Sequence, residues 1–336
     1  MAKTVVRILG VLVALGVLAL VPRLVGDPYQ LHILIMVLLG VTLALGLQLL
    51  MTVGQVSFAH ASFWAIGAYT SSLLMLKLHW SFWVGLPAAG IVAGLVALII
   101  GYPCLRLKGP YFFMVTLAFG EAVLLVFKSW VNPFGGMNGL SSIPRPGPID
   151  FFGLFTMTFT SKTAFYYLSM ILALLAVFVA YRLQKSRFGA ESVAIRDADS
   201  LAQAVGVNMM KRKVLVFVIG TVFAGLAGAI YASYVTFINP DLFTFWNSMT
   251  FLLFVVVGGS GSIWGVIIGA FILTAAPEVF RIAKRAEPSI YGAILVMVLL
   301  FLPGGLVTLP QRLPRPLQFW RSWRVQKEEA GSRAAS

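Results

Sequence analysis

The sequence predicts an all-α protein, a polytopic bundle of membrane-spanning helices. Hydrophobic residues make up 60% of the 336 positions and charged residues only 11%. Soluble domains average roughly 45–50% apolar and about 25% charged residues, so they could not bury this much apolar surface. The apolar residues also form runs close to the ~20 that one bilayer crossing needs, without the alternation typical of barrel strands.

These runs predict about ten spans, with nine as the alternative. The N-terminal run resembles a signal peptide, but no small-x-small cleavage site follows, so we interpret it as an uncleaved first helix. The glycines Gly258, Gly259 and Gly261 divide either one broken helix or two short ones. The predicted spans are residues 5–25, 31–51, 58–78, 81–102, 111–130, 164–183, 214–237, 246–257, 263–276 and 291–302.

Basic residues favour one orientation. We expect a transmembrane domain over 1–310, with a polar loop at 184–213 and a Gly/Pro-rich loop at 131–163, followed by a basic tail at 311–336. Placing both termini, the short loop with Arg106 and Lys108, and the polar loop in the cytoplasm puts 17 of the 25 basic residues there, as the positive-inside rule favours. This orientation requires an even number of spans and makes the 131–163 loop periplasmic. The net charge of +14 is thereby explained without a nucleic-acid partner.

The polar loop contains a predicted short amphipathic helix at about 191–206. Gly206 follows its last apolar position, where a helix stop is expected. The helix either rests on lipid or on its own bundle, or it docks a partner. Its apolar residues recur at spacings of three and four: Ala194, Ala198, Leu201, Ala202 and Val205.

Polar residues inside predicted spans are candidates for a substrate pathway. Gln55, Ser57 and His60 follow Gly54, and polar or irregular backbone at membrane depth is tolerated only inside a bundle or along a cavity. Glu121 is the one carboxylate deep in a predicted span, so we expect it to face the bundle interior or a wet cavity. It either bridges helices, lines a pathway or relays protons. His60 is either a satisfied core histidine or a cavity-lining group.

Enzymatic signals are absent from the sequence. No Ser/His/Asp or Cys/His arrangement is legible, and no Cys/His cluster has metal-ligand spacing. The single cysteine, Cys104, excludes an intramolecular disulfide. No G-x-x-x-x-G-K-[ST] loop is present to cradle ATP phosphates. We therefore expect no enzyme activity, metal or cofactor on this chain, and any ATP hydrolysis must reside on another chain.

Several segments together resemble one family, the inner-membrane permeases of branched-chain amino acid ABC transporters, of the LivM type within the LivH/LivM permeases. The resemblance covers about residues 31–309. The segments that carry it are GQVSFAHASFWAIGAYTSSLL (54–74), LRLKGPYFFMVTLAFGEAV (105–123), NPFGGMNGLSSIPRP (132–146), the stretch 186–241, VVVGGSGSIWGVIIGA (255–270) and FLPGGLV (301–307).

The resemblance implies that the polar loop carries a coupling helix. Permeases of ABC importers dock their ATPases through an E-A-A-x-x-x-G pattern, whose last Ala and Gly match Ala202 and Gly206. Ser200 stands in place of the Glu, with Asp199 beside it. The candidate coupling residues are Arg196, Asp197, Asp199, Ser200, Leu201, Ala202, Val205 and Gly206.

The resemblance also implies an assembly. Its expected members are a second homologous permease, two ABC ATPases that bind ATP-Mg, and a periplasmic substrate-binding protein facing the 131–163 loop, all at a bacterial inner membrane and its lipids. The expected substrates are branched-chain amino acids, with urea, short amides or aromatic acids as alternatives. A rival interpretation is a stand-alone secondary transporter in which Glu121 and His60 couple transport to protons. A membrane-bound enzyme would lack any legible catalytic set.

Overall fold

The computed structural model describes residues 16, 18–24, 26–107, 109–151 and 155–279. Residues 18–24 are helical, and the helices that follow are α1 (Pro28–Met51), α2 (His60–Lys77), α3 (Phe82–Cys104), α4 (Pro110–Ser129), α5 (Val131–Phe134), α6 (Lys162–Lys185), α7 (Arg187–Asp197), α8 (Asp199–Ala204), α9 (Met209–Val235), α10 (Phe245–Gly258) and α11 (Ile263–Val279). Short 3-10 helices cover Gly136–Asn138 and Pro240–Phe243, and strand β1 (Ile149–Phe151) pairs antiparallel with β2 (Phe155–Met157).

Six helices of the described chain are long and apolar enough to cross a membrane. They are α1, α3, α4, α6, α9, and α10 together with the 3-10 turn before it. Residues Ile263–Ala275 of α11 form a shorter apolar helix. The prediction of a helical membrane bundle is confirmed. The count of ten remains a prediction, because the span at 291–302 and most of the span at 5–25 lie outside the described residues.

The centre of the bundle is built on backbone contact between α2 and α9. A Cβ atom added to Gly67 would lie 2.2 Å from the carbonyl oxygen of Gly225, and one added to Gly228 would lie 2.2 Å from that of Trp64. Such distances leave no room for a methyl group, so only glycine permits this approach. α9 also packs along α1 and α3, which makes α2 and α9 the core of the described structure.

Helix α2 carries several polar residues and lies inside the bundle. Thirteen of its 18 residues are buried, among them His60, Ser62, Ser71 and Ser72. Neighbouring helices can satisfy polar groups that lipid could not. The expectation that the polar stretch after Gly54 lies within the bundle is confirmed.

The glycine-rich segment after α10 connects two helices and does not lie within a single broken one. Gly259 has a φ of +106°, a conformation that residues with a side chain rarely adopt. A Cβ at Gly258 would lie 2.2 Å from the carbonyl oxygen of Gly265, and one at Gly269 would lie 2.3 Å from that of Phe254. Positions before the turn thus meet positions after it in reverse order, so α10 and α11 pack antiparallel. Gly261, in contrast, has open space around it.

The prediction of one amphipathic helix over 191–206 is wrong. α7 ends at Asp197, Ala198 has extended dihedral angles (φ −156°, ψ 87°), and α8 begins at Asp199. An extended residue reorients the chain, so the spacings of three and four do not build one apolar face across it. Ala194 and Leu201 are accordingly exposed, although they belong to the predicted face.

The 131–163 loop contains no spanning helix, as the sequence predicts. It does contain α5, a 3-10 turn and the β1–β2 hairpin, which is the only sheet in the described residues and a small departure from the all-α prediction. Leu140 forms an isolated bridge with Ile238 after α9. The loop is therefore attached to the end of the bundle opposite to α7 and α8.

Candidate functional site

The coupling segment, defined here as α7 and α8 (residues 187–204) with the turn to Gly206, lies between the end of α6 and the start of α9. The segment ends at Gly206, as the sequence predicts. Gly206 has a φ of +86° and donates its N–H to the Gln203 carbonyl (3.0 Å), while the N–H of Val207 reaches the Ala202 carbonyl (3.1 Å). This pair of bonds is the Schellman motif, which requires a left-handed residue at the position of Gly206.

Two ion pairs connect the coupling segment to the first turns of α9. Lys213 is only 5% exposed, and its ammonium group lies 3.4 Å from the Asp199 carboxylate at the start of α8. Arg212 pairs with Glu191 of α7, and its guanidinium also lies over the ring of Phe188, 4.8 Å from the centroid. Sequence reasoning missed Glu191 and Lys213, because charges 14 and 21 residues apart produce no periodic pattern. A movement of the segment would therefore be transmitted to α9.

The segment buries Ile195 and Ala202 and exposes three larger apolar residues, Val193, Leu201 and Val205. Ala202 is 3% exposed, whereas Leu201 and Val205 are 69% and 79% exposed. Ser200 is exposed as well, and the exposed pair Arg196–Asp197 closes the end of α7 (2.9 Å). Large apolar side chains on an otherwise polar surface are typical of a protein contact.

The coupling segment also contacts the break between α1 and α2. Gly54 has a φ of +75°, and a Cβ at this position would lie 3.2 Å from Cγ of Arg196. The last turn of α7 therefore packs directly on the backbone of the loop at residues 52–59. Through this loop, the segment reaches both helices that flank the break.

Hydroxyl groups hold the non-helical stretch before α2 in place. The Ser57 hydroxyl accepts the N–H of Ala59 (3.2 Å), as expected for a residue that satisfies freed backbone. Thr116 of α4 accepts the N–H of Phe58 (3.2 Å), and Ser248 of α10 accepts that of Ala61 (2.9 Å). Sequence reasoning missed Thr116 and Ser248, since isolated hydroxyl residues in apolar helices give no distinctive signal. Gln55 and Ser57 are both buried in this stretch.

His60 lies in a packed interior. It is 2% exposed, and a Cβ added to Gly46 of α1 would lie 3.2 Å from its ring atoms Cε1 and Nε2. The ring of Phe251 stands edge-on at 6.5 Å between centroids. His60 is therefore a core residue, but its Nε2 atom has no hydrogen-bond partner among the described residues, so the histidine is not fully satisfied.

Glu121 lies on the outside of α4, and its placement along a wet cavity stays a prediction. It is exposed, so the expectation that it faces the interior of this chain's bundle is wrong. The neighbouring Gly120 faces α2 and accepts a hydrogen bond from Ser62 (3.2 Å), and one residue further the helix has turned away. Sequence hydropathy does not distinguish the two sides, because α4 is apolar all round. Its buried residues are Phe112, Thr116, Gly120, Leu124 and Phe127.

We define the α4 outer face as the exposed side of α4 that carries Glu121. Tyr111 and Met114 lie on it near one end, and Leu125 lies one turn beyond the carboxylate; these three are 69%, 59% and 64% exposed. The ionisable groups described here form no cluster able to hold a metal ion. Polar features of the described residues thus include the coupling segment, the loop at residues 52–59 and the α4 outer face.

Comparison with known proteins gives consistent results along the chain. The family model described as branched-chain amino acid transport system / permease component matches residues 8–303. The LivM permease protein of the high-affinity branched-chain amino acid transport system of Escherichia coli is 32% identical, over 90% of this chain and 75% of the relative. The LivH permease protein of Salmonella typhimurium is 26% identical, over 82% and 91% respectively. No solved structure matches the chain.

Proposed function

Because the chain belongs to the branched-chain amino acid transport permease family, we propose that it is the membrane subunit of an ATP-driven importer of branched-chain amino acids in a bacterial inner membrane. Its similarity to both LivM and LivH proteins supports pairing with a second, homologous permease. The proposed assembly adds two ABC ATPases, which bind ATP-Mg, and a periplasmic binding protein that delivers substrate to the 131–163 loop.

The observation that carries the ATP-driven function is the surface of the coupling segment. Leu201 and Val205 are exposed next to the buried Ala202, in the stretch where the family's docking pattern falls. A cleft on an ATPase subunit would bury these two side chains, and about 1.5–3 kcal/mol per fully buried side chain would stabilise the contact.

The connections of the segment provide a route for coupling. ATP-driven closure of the partner ATPases would displace α7 and α8. The ion pairs of Lys213 and Arg212 would carry that displacement to α9, and the contact of Arg196 with Gly54 would carry it to the loop between α1 and α2. Since α2 and α9 touch through their backbones, they would move as one rigid body.

The α4 outer face is the proposed wall of the substrate pathway. A carboxylate such as Glu121 is costly when it faces hydrocarbon, so this face requires water, substrate or another subunit against it. We place the second permease opposite α4, with the pathway between them. Gln55, Ser57 and His60 have a structural role in this proposal, because all three are buried away from that face.

Charge introduced on the coupling segment tests the proposed function. We expect the double variant Leu201→Asp, Val205→Asp to reduce co-purification of ATPase subunits with the tagged chain by about ten-fold or more, because two carboxylates would enter an apolar contact. Substrate uptake should fall with it. Both positions are exposed, so insertion and folding should persist; Ala202 is unsuitable because it is packed.

Leu78→Asp is the matched control, since Leu78 is similarly exposed (55%) but lies at the opposite end of the bundle. It should leave ATPase co-purification unchanged. Unchanged co-purification and uptake in the double variant would overturn the docking assignment. Uptake that collapses with an uncoupler while ATP is held constant would support a proton-coupled transporter instead.

A further inference from the structure

A cavity of about 240 Å³ lies between the ends of α1, α6 and α9, on the side of the bundle opposite the coupling segment. His32 of α1, Lys162 and Phe165 of α6 and Tyr234 of α9 line it, and Arg145 reaches it from the preceding loop. One water occupies roughly 30 Å³ of liquid, so the cavity admits a group of several heavy atoms. The proposed transport function makes no use of this cavity.

The cavity collects positive charge without a matching carboxylate. Arg145 and Lys162 each donate one hydrogen bond to a neutral carbonyl, that of Thr160 and that of Pro28 (both 3.0 Å). Neither forms an ion pair with a described residue, and no Asp or Glu belongs to the described lining. Among the described residues their remaining N–H groups have no further partner, and an oxyanion is the ligand that such donors bind most strongly.

The opposite wall of the cavity is aromatic. His32 stacks on Tyr234 at 5.6 Å between centroids, with Nδ1 of the histidine 2.7 Å from the tyrosine hydroxyl oxygen. Phe165 lies against the same tyrosine ring at 5.2 Å. A site that joins cations to an aromatic wall suits a ligand with both an anionic and an apolar part. A free inorganic anion would leave the aromatic wall uncovered.

The position of the cavity identifies the source of such a ligand. Lys162 is the first residue of α6, Tyr234 is the last but one of α9, and His32 belongs to the first two turns of α1. All three helices are membrane spans, so the cavity lies where they leave the hydrocarbon. Phospholipid headgroups occupy this level, and basic side chains between spans can donate hydrogen bonds to their phosphates.

We infer that the cavity between α1, α6 and α9 binds an anionic phospholipid, with its phosphate group at Arg145 and Lys162 and its glycerol and upper acyl chains against Tyr234, which the buried Phe165 supports. A bound lipid would hold α6 against α1 and α9 and thereby stabilise the bundle at the end where the 131–163 loop attaches.

The test measures the thermal unfolding midpoint of the full chain, purified with its partner subunits in detergent, against increasing dihexanoyl-phosphatidylglycerol. We expect the midpoint to rise with this lipid and to change little with inorganic phosphate. In the double variant Arg145→Gln, Lys162→Gln, the lipid concentration for half of the effect should rise about ten-fold or more. Arg145→Gln alone changes an exposed loop residue, so it remains measurable if the double variant folds poorly; it should shift the response in the same direction.

Lys77→Gln is the matched control. It removes a positive charge at the same end of the bundle, where Lys77 bonds to Asn132 (2.6 Å) outside the cavity. Its lipid response should match that of the unmodified protein. Equal stabilisation by inorganic phosphate would identify a free-anion site and overturn the lipid assignment. The assignment would also be overturned if the lipid had no effect on the unfolding midpoint or if the double variant responded to lipid as the unmodified protein does. A double variant that lost uptake but kept its lipid response would instead indicate a surface that docks a protein, and would overturn the lipid assignment too.

Discussion

Glu121 has few stable environments on the exposed side of a membrane helix. Facing lipid, it would be costly unless it reached toward the interface, and it lies near the middle of the 20-residue α4. Facing a second permease across a wet pathway, it could keep its polar contacts. The two environments predict opposite effects of removing the carboxyl group.

We predict that Glu121→Leu lowers substrate uptake about ten-fold, equivalent to roughly 1.4 kcal/mol, while Glu121→Gln keeps most of it. The amide retains hydrogen-bonding capacity at the pathway, whereas leucine leaves its polar partners unsatisfied. Uptake is normalised to the amount of chain in the membrane. Met114→Leu, a conservative change on the α4 outer face, should leave uptake unaltered. Full uptake in both Glu121 variants would place this carboxyl group outside the pathway.

The residue scale is also where sequence reasoning succeeds and fails most clearly. It identified Gly206 as a helix stop, because a left-handed residue at that position is a local requirement. It misplaced Glu121, because which side of α4 is covered depends on how α2 and α10 pack against it. Thr116 and Ser248 were missed for the same reason, because each accepts a hydrogen bond from a backbone N–H group that is distant in the sequence.

At the scale of elements, the attachment of α8 to α9 depends on the pair Lys213–Asp199. The lysine side chain is 6% exposed and the aspartate side chain 23%. Removing the aspartate leaves an ammonium group buried, whereas removing the lysine leaves a carboxylate that water can still reach. Breaking a buried pair is more costly than its net contribution, because the remaining charge is uncompensated.

We therefore predict an asymmetry in the thermal unfolding midpoint of the purified complex. Asp199→Asn should lower it more than Lys213→Met, with a destabilisation of about 1–3 kcal/mol for the asparagine variant. Asp197→Asn provides the control, because its pair with Arg196 is exposed and should contribute less than about 1 kcal/mol. Identical midpoints for Asp199→Asn and Lys213→Met would show that the pair is solvated rather than buried.

The sequence predicted where the helices begin and end better than it predicted how they pack against one another. Apolar runs predicted α1, α3, α4, α6 and α9 with ends within a few residues, since a lipid environment leaves few alternatives to a helix. The break at Ala198 escaped detection, because periodicity continues across a single extended residue. The antiparallel packing of α10 and α11 depends on contacts between glycines that no one-dimensional pattern reveals.

At the scale of the whole molecule, the described helices alternate in direction as the predicted topology requires. Gly54 meets Arg196 at one end of the bundle, and Lys162 donates to Pro28 at the other. The turn after α10 lies at the first end too, because Gln48 of α1 donates to the carbonyl of Ser260 (2.9 Å). These contacts agree with an arrangement in which the coupling segment, the α1–α2 break and the α10–α11 turn share one side of the membrane.

The burial of α2 has a consequence for how the chain is made. α2 is not among the six helices that qualify as spans by length and hydropathy, yet it lies at the centre of the bundle. Its packing partner α9 is synthesised more than a hundred residues later. Newly made α2 therefore enters the membrane without the neighbour that covers its polar groups.

We predict that a chain truncated after residue 207, which lacks α9, leaves α2 accessible. A cysteine at the fully buried Ser71, in a Cys104→Ala background, should react with a membrane-impermeant maleimide in the truncated chain but not in the full one. A cysteine at Leu43 of the strongly apolar α1 should be protected in both. Protection of Ser71→Cys in the truncated chain would mean that α2 inserts unaided. The helix at the centre of the finished protein would then be among the last to insert stably in the bilayer, because its stable insertion requires α9.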